Sequence, residues 1–148
     1  MANKVSVDKE KSSIIFTGSA VGKSHDVRFN EWEGWLLVDK NKILGFEGKI
    51  KADSVNTGIP NLDNHLKSDD FFDIENYPKI SFSGKVDEKS KNTMKGKLIF
   101  RGVTKEISFP VKATDNSIHA EFKLDIIPYK MRYLDINKEI KVRFDFYR

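Results

Sequence analysis

The sequence predicts an all-β fold in which one antiparallel sheet closes on itself as an eight-stranded barrel. Two observations support this prediction: apolar residues recur at every second position over most of the chain, and short polar segments separate these rows. Alternation with a period of two is typical of strands that have one buried and one solvated face. Short polar connectors join strands that are neighbours in an antiparallel meander. A two-sheet sandwich is the alternative architecture.

Each row of alternating apolar residues predicts one strand. The rows lie at residues 14–20, 32–39, 44–52, 80–86, 94–100, 107–113, 118–126 and 140–146. The connectors at residues 39–42, 87–92, 101–104 and 114–117 contain the Asp, Asn, Ser and Gly residues that favour turns. Because no set of helices is available to cover the dry faces, closure of the sheet is the simplest way to bury them and to remove exposed edges.

One stretch departs from this period. Residues 60–73 carry apolar side chains such as Leu62 and Leu66 at a spacing closer to that of a helix, and Pro60 suits a first helical turn. We therefore predict a short helical excursion over residues 60–73 that leaves the barrel between two strands.

Length and composition restrict the class of protein. The chain has 148 residues and a formal net charge of +4, and it contains no Cys. This length suits one domain over residues 1–148, and the absence of Cys excludes disulfides, thiolate-ligated metals and a thiol nucleophile. The basic residues are mostly Lys and are spread along the chain, whereas nucleic-acid binders concentrate cations on one face. We therefore expect no nucleic-acid partner.

The sequence also predicts no stable membrane span, because its longest apolar run covers residues 35–38 and a spanning helix needs about 20 residues. The N-terminus lacks the apolar stretch of a secretory signal peptide. These features predict a cytoplasmic protein. The alternative is a periplasmic protein whose signal peptide has been removed.

The residues with chemical reactivity suggest no reaction. Ser24, His25 and Asp26 have the composition of a catalytic triad, but adjacent residues cannot face one another in the required geometry. The carboxylates around His65 match neither the calcium-loop spacing nor the zinc-helix motif. We expect a protein that is not an enzyme and that has no metal site and no catalytic cofactor.

Small residues interrupt the apolar rows. They are Gly18, Ala20, Gly48, Gly84, Gly96, Ala113 and Ala120. Two interpretations remain open: glycine relieves crowding in a small filled barrel, or small residues and phenyl rings line an elongated cavity for an apolar ligand.

Several segments resemble the signature of the YceI-like family. Residues 63–73 read D-N-H-L-K-S-D-D-F-F-D, and Y-P-K-I-S-F follows at residues 77–82, close to the family pattern D-x-H-L-x-S-x-D-F-F-D and Y-P-x-I-x-F. Residues 96–105 resemble its G-x-L-T-x-x-G-V-T-K hairpin, and residues 52–58 contain its S-V-x-T run. The resemblance covers nearly the whole chain.

The resemblance implies a bacterial, lipocalin-like, eight-stranded barrel that transports or sequesters a long isoprenoid lipid, such as a polyprenyl lipid or a quinone. This bound lipid or quinone would be its only cofactor-like molecule, and a homodimer is left open. We predict that the ligand contacts Phe16, Phe46, Ile50, Phe82, Leu98, Phe100, Phe122, Leu124 and Phe144. The alternative function is a filled structural or protein-interaction barrel with no small-molecule ligand.

The resemblance also implies that the helical excursion packs against the barrel as a structural corner. The residues of this corner motif are His65, Ser68, Asp69, Phe71, Phe72, Asp73, Tyr77 and Pro78. Phe71, Phe72 and Tyr77 are expected to pack, while the polar members form its hydrogen-bonding skeleton.

Three features depart from the family pattern. Leu62 stands where the family commonly has a basic residue, and no export signal is visible. The late strand near residues 123–131 lacks the usual acidic–basic pair and Phe-Gly, and Pro128 restricts it to an edge, a bulge or an early end.

Overall fold

Strands and one short helix make up most of the computed structural model, which describes residues 2–20, 23–131 and 139–148. The predicted all-β, antiparallel class is confirmed. In chain order the elements are β1 (Asn3–Ser6), β2 (Ser13–Ala20), β3 (Lys23–Phe29), β4 (Trp32–Asp39), β5 (Lys42–Lys51), β6 (Val55–Asn56), α1 (Pro60–Lys67), β7 (Lys79–Val86), β8 (Thr93–Phe100), β9 (Val103–Pro110), β10 (Lys112–Ala113), β11 (Ser117–Asp125) and β12 (Glu139–Tyr147). Single 3-10 turns lie at Ala52–Ser54 and Ile127–Tyr129.

The described residues form twelve strands where the sequence pattern predicted eight. The eight apolar rows correspond to β2, β4, β5, β7, β8, β9, β11 and β12. Strands β1, β6 and β10 have only two to four residues, which is too short for a period to show. Strand β3 escaped prediction because Lys23 and His25 occupy the positions that apolar residues hold in the other strands.

The antiparallel ladders of the described residues form two six-stranded sheets, and no described ladder closes them into the single ring that we predicted. Sheet I has the order β1-β4-β5-β7-β8-β9, and sheet II has the order β10-β11-β12-β2-β3-β6. The last passage from sheet I to sheet II lies at Val111, immediately after Pro110 ends β9. Pro110 has no backbone N–H to donate to a further strand, so its position suits β9, which is an edge strand of sheet I.

A β-bulge corrects the apolar row predicted to begin at Leu44. The β4–β5 register shifts between Leu37 and Val38, so that Val38 pairs with Ile43 and Leu37 with Gly45. Leu44 is therefore the extra residue, and Ile43 takes the core position that we assigned to Leu44. Ala113 is also misplaced by the pattern, since it is exposed on the two-residue edge strand β10.

Aromatic rings join the inner faces of the two sheets. Phe46 of sheet I has its ring centroid 4.7 Å from Phe144 and 5.1 Å from Phe146 of sheet II. Phe109 stacks on Phe122 at 4.1 Å where β9 faces β11. Trp32 lies 5.6 Å from Phe146 at one side of the same cluster. The core thus lies between the sheets and is built largely from phenyl rings.

The helical excursion begins as predicted and ends earlier. Helix α1 stops at Lys67, where the Ser68 hydroxyl donates to the His65 carbonyl oxygen at 2.6 Å. Turns then lead to Asp73, whose backbone N–H donates to the Ser68 carbonyl oxygen at 2.8 Å. Within the described residues, no helix combines the length and the apolar character needed to cross a bilayer.

The turn between β8 and β9 depends on glycine. Gly102 has φ +74° and follows Arg101 at φ +54°, the pair of positive angles that a two-residue hairpin turn of type I′ requires. A β-carbon at Gly102 would also lie 2.5 Å from the Tyr77 ring. This close approach fixes the corner motif against the hairpin.

We expect Gly102→Ala to destabilise the fold more than Gly58→Ala, by about 1–3 kcal/mol. Gly58 has a similar φ of +83° but no atom within 4 Å of the position of a β-carbon, so it isolates the backbone penalty. Urea unfolding midpoints measure the difference. Equal losses at the two positions would show that Tyr77 does not pack tightly on Gly102.

Candidate ligand-binding site

An apolar cavity of about 70 Å³ lies between the inner faces of the two sheets. Its lining residues are Ile14, Phe16, Phe46, Gly48, Ile50, Ile80, Ser81, Phe82, Leu98, Phe100, Ile107, Phe109, Phe122, Leu124, Val142 and Phe144. All nine residues that we predicted to contact the ligand belong to this set. Their role in binding stays a prediction, but the structure brings all nine together around one cavity.

Strand alternation accounts for the way the cavity is lined. Every second residue of β2, β5, β7, β8, β9, β11 and β12 points between the sheets. We did not predict as ligand contacts the remaining lining residues, Ile14, Gly48, Ile80, Ser81, Ile107, Phe109 and Val142. All except Ser81 stand in the apolar rows or among the small residues described above, so the signal was present in the sequence. Ser81 carries no sequence signal.

The glycines of the apolar rows have different roles. A β-carbon at Gly48 would find its nearest heavy atoms at 3.8 and 3.9 Å, which leaves ordinary space beside the cavity. At Gly84 and Gly96 the added carbon would lie 2.7 Å from the Phe82 ring. Gly48 therefore borders the cavity, and Gly84 makes room for the Phe82 ring. Gly96 also allows a close approach of the Ser83 carbonyl oxygen to the position of a β-carbon. Whether the cavity holds an apolar ligand stays a prediction. The side chain of Ala20 lies outside the described residues.

Phenyl rings reduce the volume of the cavity. Phe82 lies 4.9 Å from Phe46 and 5.6 Å from Phe109, centroid to centroid. About 70 Å³ is well below the roughly 300–1,000 Å³ that ligand sites commonly offer. The interior as it stands accepts a short apolar group, and a longer chain requires some of these rings to move.

A second apolar cavity of about 60 Å³ lies beneath α1. Its lining residues are Phe16, Gly18, His25, Val27, Leu62, Leu66, Phe71, Phe72, Met131 and Ile140. Phe16 borders both cavities and is thus part of the wall between them. Leu62, which departs from the family pattern, makes this second cavity more apolar than a basic residue would.

The aromatic residues of the corner motif lie against this second cavity. Phe71 and Phe72 are buried, with 3% and 4% of their surfaces exposed, and the His65 ring lies 5.0 Å from that of Phe71. Tyr77 lies over Gly102 with 36% of its surface exposed.

The polar members of the motif act mostly through their backbones. The carbonyl oxygen of His65 accepts from Ser68, that of Asp69 accepts from the Arg101 guanidinium, and that of Pro78 accepts from the Ala52 N–H. Ser68 and Asp73 also act through their side chains, since the Ser68 hydroxyl donates to His65 and the Asp73 carboxylate accepts from the Asn76 side chain.

Of the three histidines, His65 and His119 line neither cavity, whereas His25 lines the second cavity. Strand alternation places Ser24 and Asp26 on the opposite face of β3 from His25, so these neighbours form no triad. The Asp26 carboxylate accepts from the Thr17 hydroxyl at 2.9 Å. In the described parts of the chain, no three His, Asp or Glu side chains lie close enough together to hold a metal ion.

A polar network on the outer face of sheet II has the hydrogen-bond order of a hydrolase triad. His119 Nδ1 lies 2.6 Å from the Asp145 carboxylate, and Nε2 lies 3.0 Å from Ser117 Oγ. Ser117 is only 6% exposed, and its Oγ also lies 2.9 Å from the Thr114 hydroxyl. Neither cavity is lined by any of these residues. Sequence reasoning missed this network because β11 and β12 bring its members together from distant positions.

Comparison with known proteins places this architecture in a family. A family model described as the YceI-like domain matches residues 6–147. The chain belongs to the YceI-like family. Its sequence motifs at residues 63–73 and 96–105 and its two facing antiparallel sheets are therefore features of a YceI-like domain.

Curated relatives match this YceI-like domain in part. A UPF0312 protein of Shewanella denitrificans is 35% identical over 103 residues, which cover 66% of this chain and 54% of that protein. A UPF0312 protein of Staphylococcus aureus is 42% identical over 63 residues, which cover 43% of this chain and 36% of that protein. The chain thus spans about half, or less, of the length of these relatives.

Solved structures share the fold over most of its length. Burkholderia cenocepacia BcnA superposes with a TM-score of 0.85 and 16% identity, covering 96% of this chain and 99% of that one. A polyisoprenoid-binding domain from Saccharophagus degradans gives a TM-score of 0.74 and 16% identity, covering 99% and 98%. The Campylobacter jejuni YceI protein gives 0.66 and 21% identity, covering 82% and 84%.

We expect Gly84→Ala to lower the free energy of unfolding by about 1–3 kcal/mol, because the new methyl group collides with the Phe82 ring. Gly48→Ala, the matched control on the paired strand, should change stability by less than about 1 kcal/mol since its methyl group makes only ordinary van der Waals contacts. Denaturant midpoints of both variants measure this contrast. A tolerated Gly84→Ala with a damaging Gly48→Ala would contradict the assignment of the two glycines.

A second expectation concerns Tyr129, which is 2% exposed and lies 5.3 Å from the Phe100 ring. Burial, aided by the charge of Asp125, raises the pKa of the Tyr129 phenol above its usual value of about 10. The native state therefore holds this proton more tightly than the unfolded chain. Its contribution to stability is complete below pH about 10 and is lost as the pH rises through the native pKa.

Tyr129→Phe should therefore lose less stability than the unmodified protein when the pH is raised from 8 to 11. Urea midpoints across this range measure the effect, and Tyr77→Phe, which removes a more exposed phenol, should keep the original pH dependence. Identical pH profiles for Tyr129→Phe and the unmodified protein would argue against a buried, protonated phenol.

Proposed function

We propose that this YceI-like domain binds an isoprenoid-type lipid between its two sheets and thereby sequesters or carries it. The observation that carries the proposal is the apolar cavity whose wall contains all nine predicted contact residues. The Saccharophagus degradans structure that shares this fold is a polyisoprenoid-binding domain, which supports the choice of ligand class.

The energetics favour a chain of a few isoprene units. Each buried methylene contributes roughly 0.8 kcal/mol, so a five-carbon unit contributes roughly 4 kcal/mol. Three units then give roughly 12 kcal/mol. If association costs about 4 kcal/mol, at the lower end of its range, this leaves roughly 8 kcal/mol before any rearrangement of the interior.

The small volume of the cavity does not prevent this binding if the least buried phenyl rings of its wall move. Phe82 and Phe122 are the lining phenylalanines that are only half-buried. Displacing Phe82 breaks its contacts with Phe46 and Phe109, and each such ring pair contributes about 0.5–1.5 kcal/mol. The loss of about 1–3 kcal/mol is smaller than the gain from one isoprene unit. Ligand entry by ring displacement is therefore favourable on balance.

We propose further that binding is the whole activity and involves no reaction. The only Ser–His–Asp arrangement in the described residues lies on the outer face of sheet II, away from the cavity, and its Ser117 is buried. The cavity itself is lined by apolar side chains, because Ser81, its one polar lining residue, has its side chain on the outer face of β7. This lining suits the retention of an apolar chain, and it supplies neither a general base nor a charged electrophile.

Farnesol, a neutral alcohol of three isoprene units, tests the proposal. After the roughly 1–3 kcal/mol cost of ring displacement, we expect the unmodified protein to bind farnesol with a Kd of roughly 10–200 µM, measured by native mass spectrometry and by titration. Gly48→Leu should weaken binding at least about tenfold, because its side chain enters the cavity, whereas Gly48→Ala should bind nearly as the unmodified protein does.

The same variants distinguish the filled-barrel alternative. If the protein takes up neither farnesol nor longer polyprenols and Gly48→Leu is strongly destabilised, the interior is a packed core and the protein is a structural or interaction module. Binding that Gly48→Leu leaves unchanged would place the ligand outside the cavity.

A further inference from the structure

We infer that Lys105 of β9 binds an anionic head group on the ligand, so that the YceI-like domain prefers an isoprenoid carboxylate or phosphate over a neutral isoprenoid. This inference rests on the proposed function. It comes from the position of one cation in a row of inward-facing residues and from a gap in the wall beside it.

Lys105 stands on the inner face of sheet I. It pairs directly with Leu98 of β8, which lines the cavity, and paired residues of neighbouring strands lie on the same face. Ile107 and Phe109, which lie two and four residues further along β9, also line the cavity. Apart from Lys23, which begins β3, Lys105 is the one charged side chain in the inward-facing rows of the described strands.

The wall is incomplete beside Lys105. Strand β9 is the last strand of sheet I, and no described ladder joins it to β11 of sheet II. Rings instead close the gap, chiefly the Phe109–Phe122 stack at 4.1 Å. Ile107 and Phe122, one from each side, are both only half-buried. A chain whose apolar part lies in the cavity can therefore leave its polar end in this gap, on the face that carries Lys105.

The chemistry of the gap selects an anion. Lys105 is exposed, and within the described residues it has no ion pair, whereas Lys141 on the outer face pairs with Glu121 at 3.5 Å. A lysine ammonium is a compact point charge that attracts a carboxylate or phosphate without demanding one geometry. A partly exposed pair of this kind changes affinity by about threefold to tenfold.

An edge strand offers a second explanation for an inward-pointing charge. Such a charge discourages the unpaired edge from adding a strand of another molecule. This explanation predicts that loss of the charge promotes self-association and leaves ligand preference unchanged. The two explanations therefore differ in what a neutral variant does to selectivity.

The test compares three ligands with the same three-unit chain: farnesol, farnesoic acid and farnesyl phosphate. We expect the unmodified protein to bind the two anions about threefold to tenfold more tightly than farnesol at low salt, with the advantage shrinking as salt is added. Lys105→Met should bind all three equally, and Lys105→Arg should restore the preference. Lys97→Met, which removes a cation from the outer face of the neighbouring strand, should keep it.

Each other outcome overturns the inference in a recognisable way. Equal binding of the three ligands by the unmodified protein rejects the head-group contact while the proposed function stands, and failure to bind any of them rejects the proposed function. A preference that Lys105→Met retains while it self-associates assigns the lysine to edge protection. A preference lost equally in Lys97→Met assigns it to the general surface charge. By contrast, a preference for only one of the two anions that Lys105→Met abolishes supports the inference and identifies the head group.

Discussion

The contacts between phenyl rings of the two sheets are the interaction on which the rest of the structure depends. The ladders leave the described sheets as separate units, and rings such as Phe46 and Phe144 hold them face to face. The same rings occupy most of the interior, so cohesion between the sheets and space for a ligand compete for one volume. A ligand that replaces ring contacts with its own apolar surface substitutes for part of this cohesion, which is why binding and stability are linked in this fold.

Glycine decides where the rings fit. Phe82 lies over Gly84 and Gly96 because neither has a side chain, and this position lets its ring reach Phe46 and Phe109. Gly48 lies on the paired strand with only ordinary contacts around the position of a β-carbon, and part of the free space of the interior lies beside it. The cavity is therefore the part of the inner face that glycine leaves open and no ring fills.

Strand alternation carried most of what the sequence revealed, since it located eight strands and the nine residues that share the cavity wall. It failed where the period is broken or concealed. The bulge moved the core position from Leu44 to Ile43, and the polar start of β3 concealed a strand. Separation into two sheets and the network of His119 with Asp145 depend on which strands become neighbours, and a period along one strand carries no information about its neighbours.

The contact between Trp32 and Phe146 has an optical consequence. Phe146 lies 4.8 Å from Phe144, which borders the cavity, so a chain of two ring contacts connects the indole to the interior. Trp32 is 9% exposed, and its emission therefore reports the local packing more than the solvent. A rearrangement of the phenyl rings around an incoming chain should be visible as a change in the fluorescence of a native residue, without an attached label.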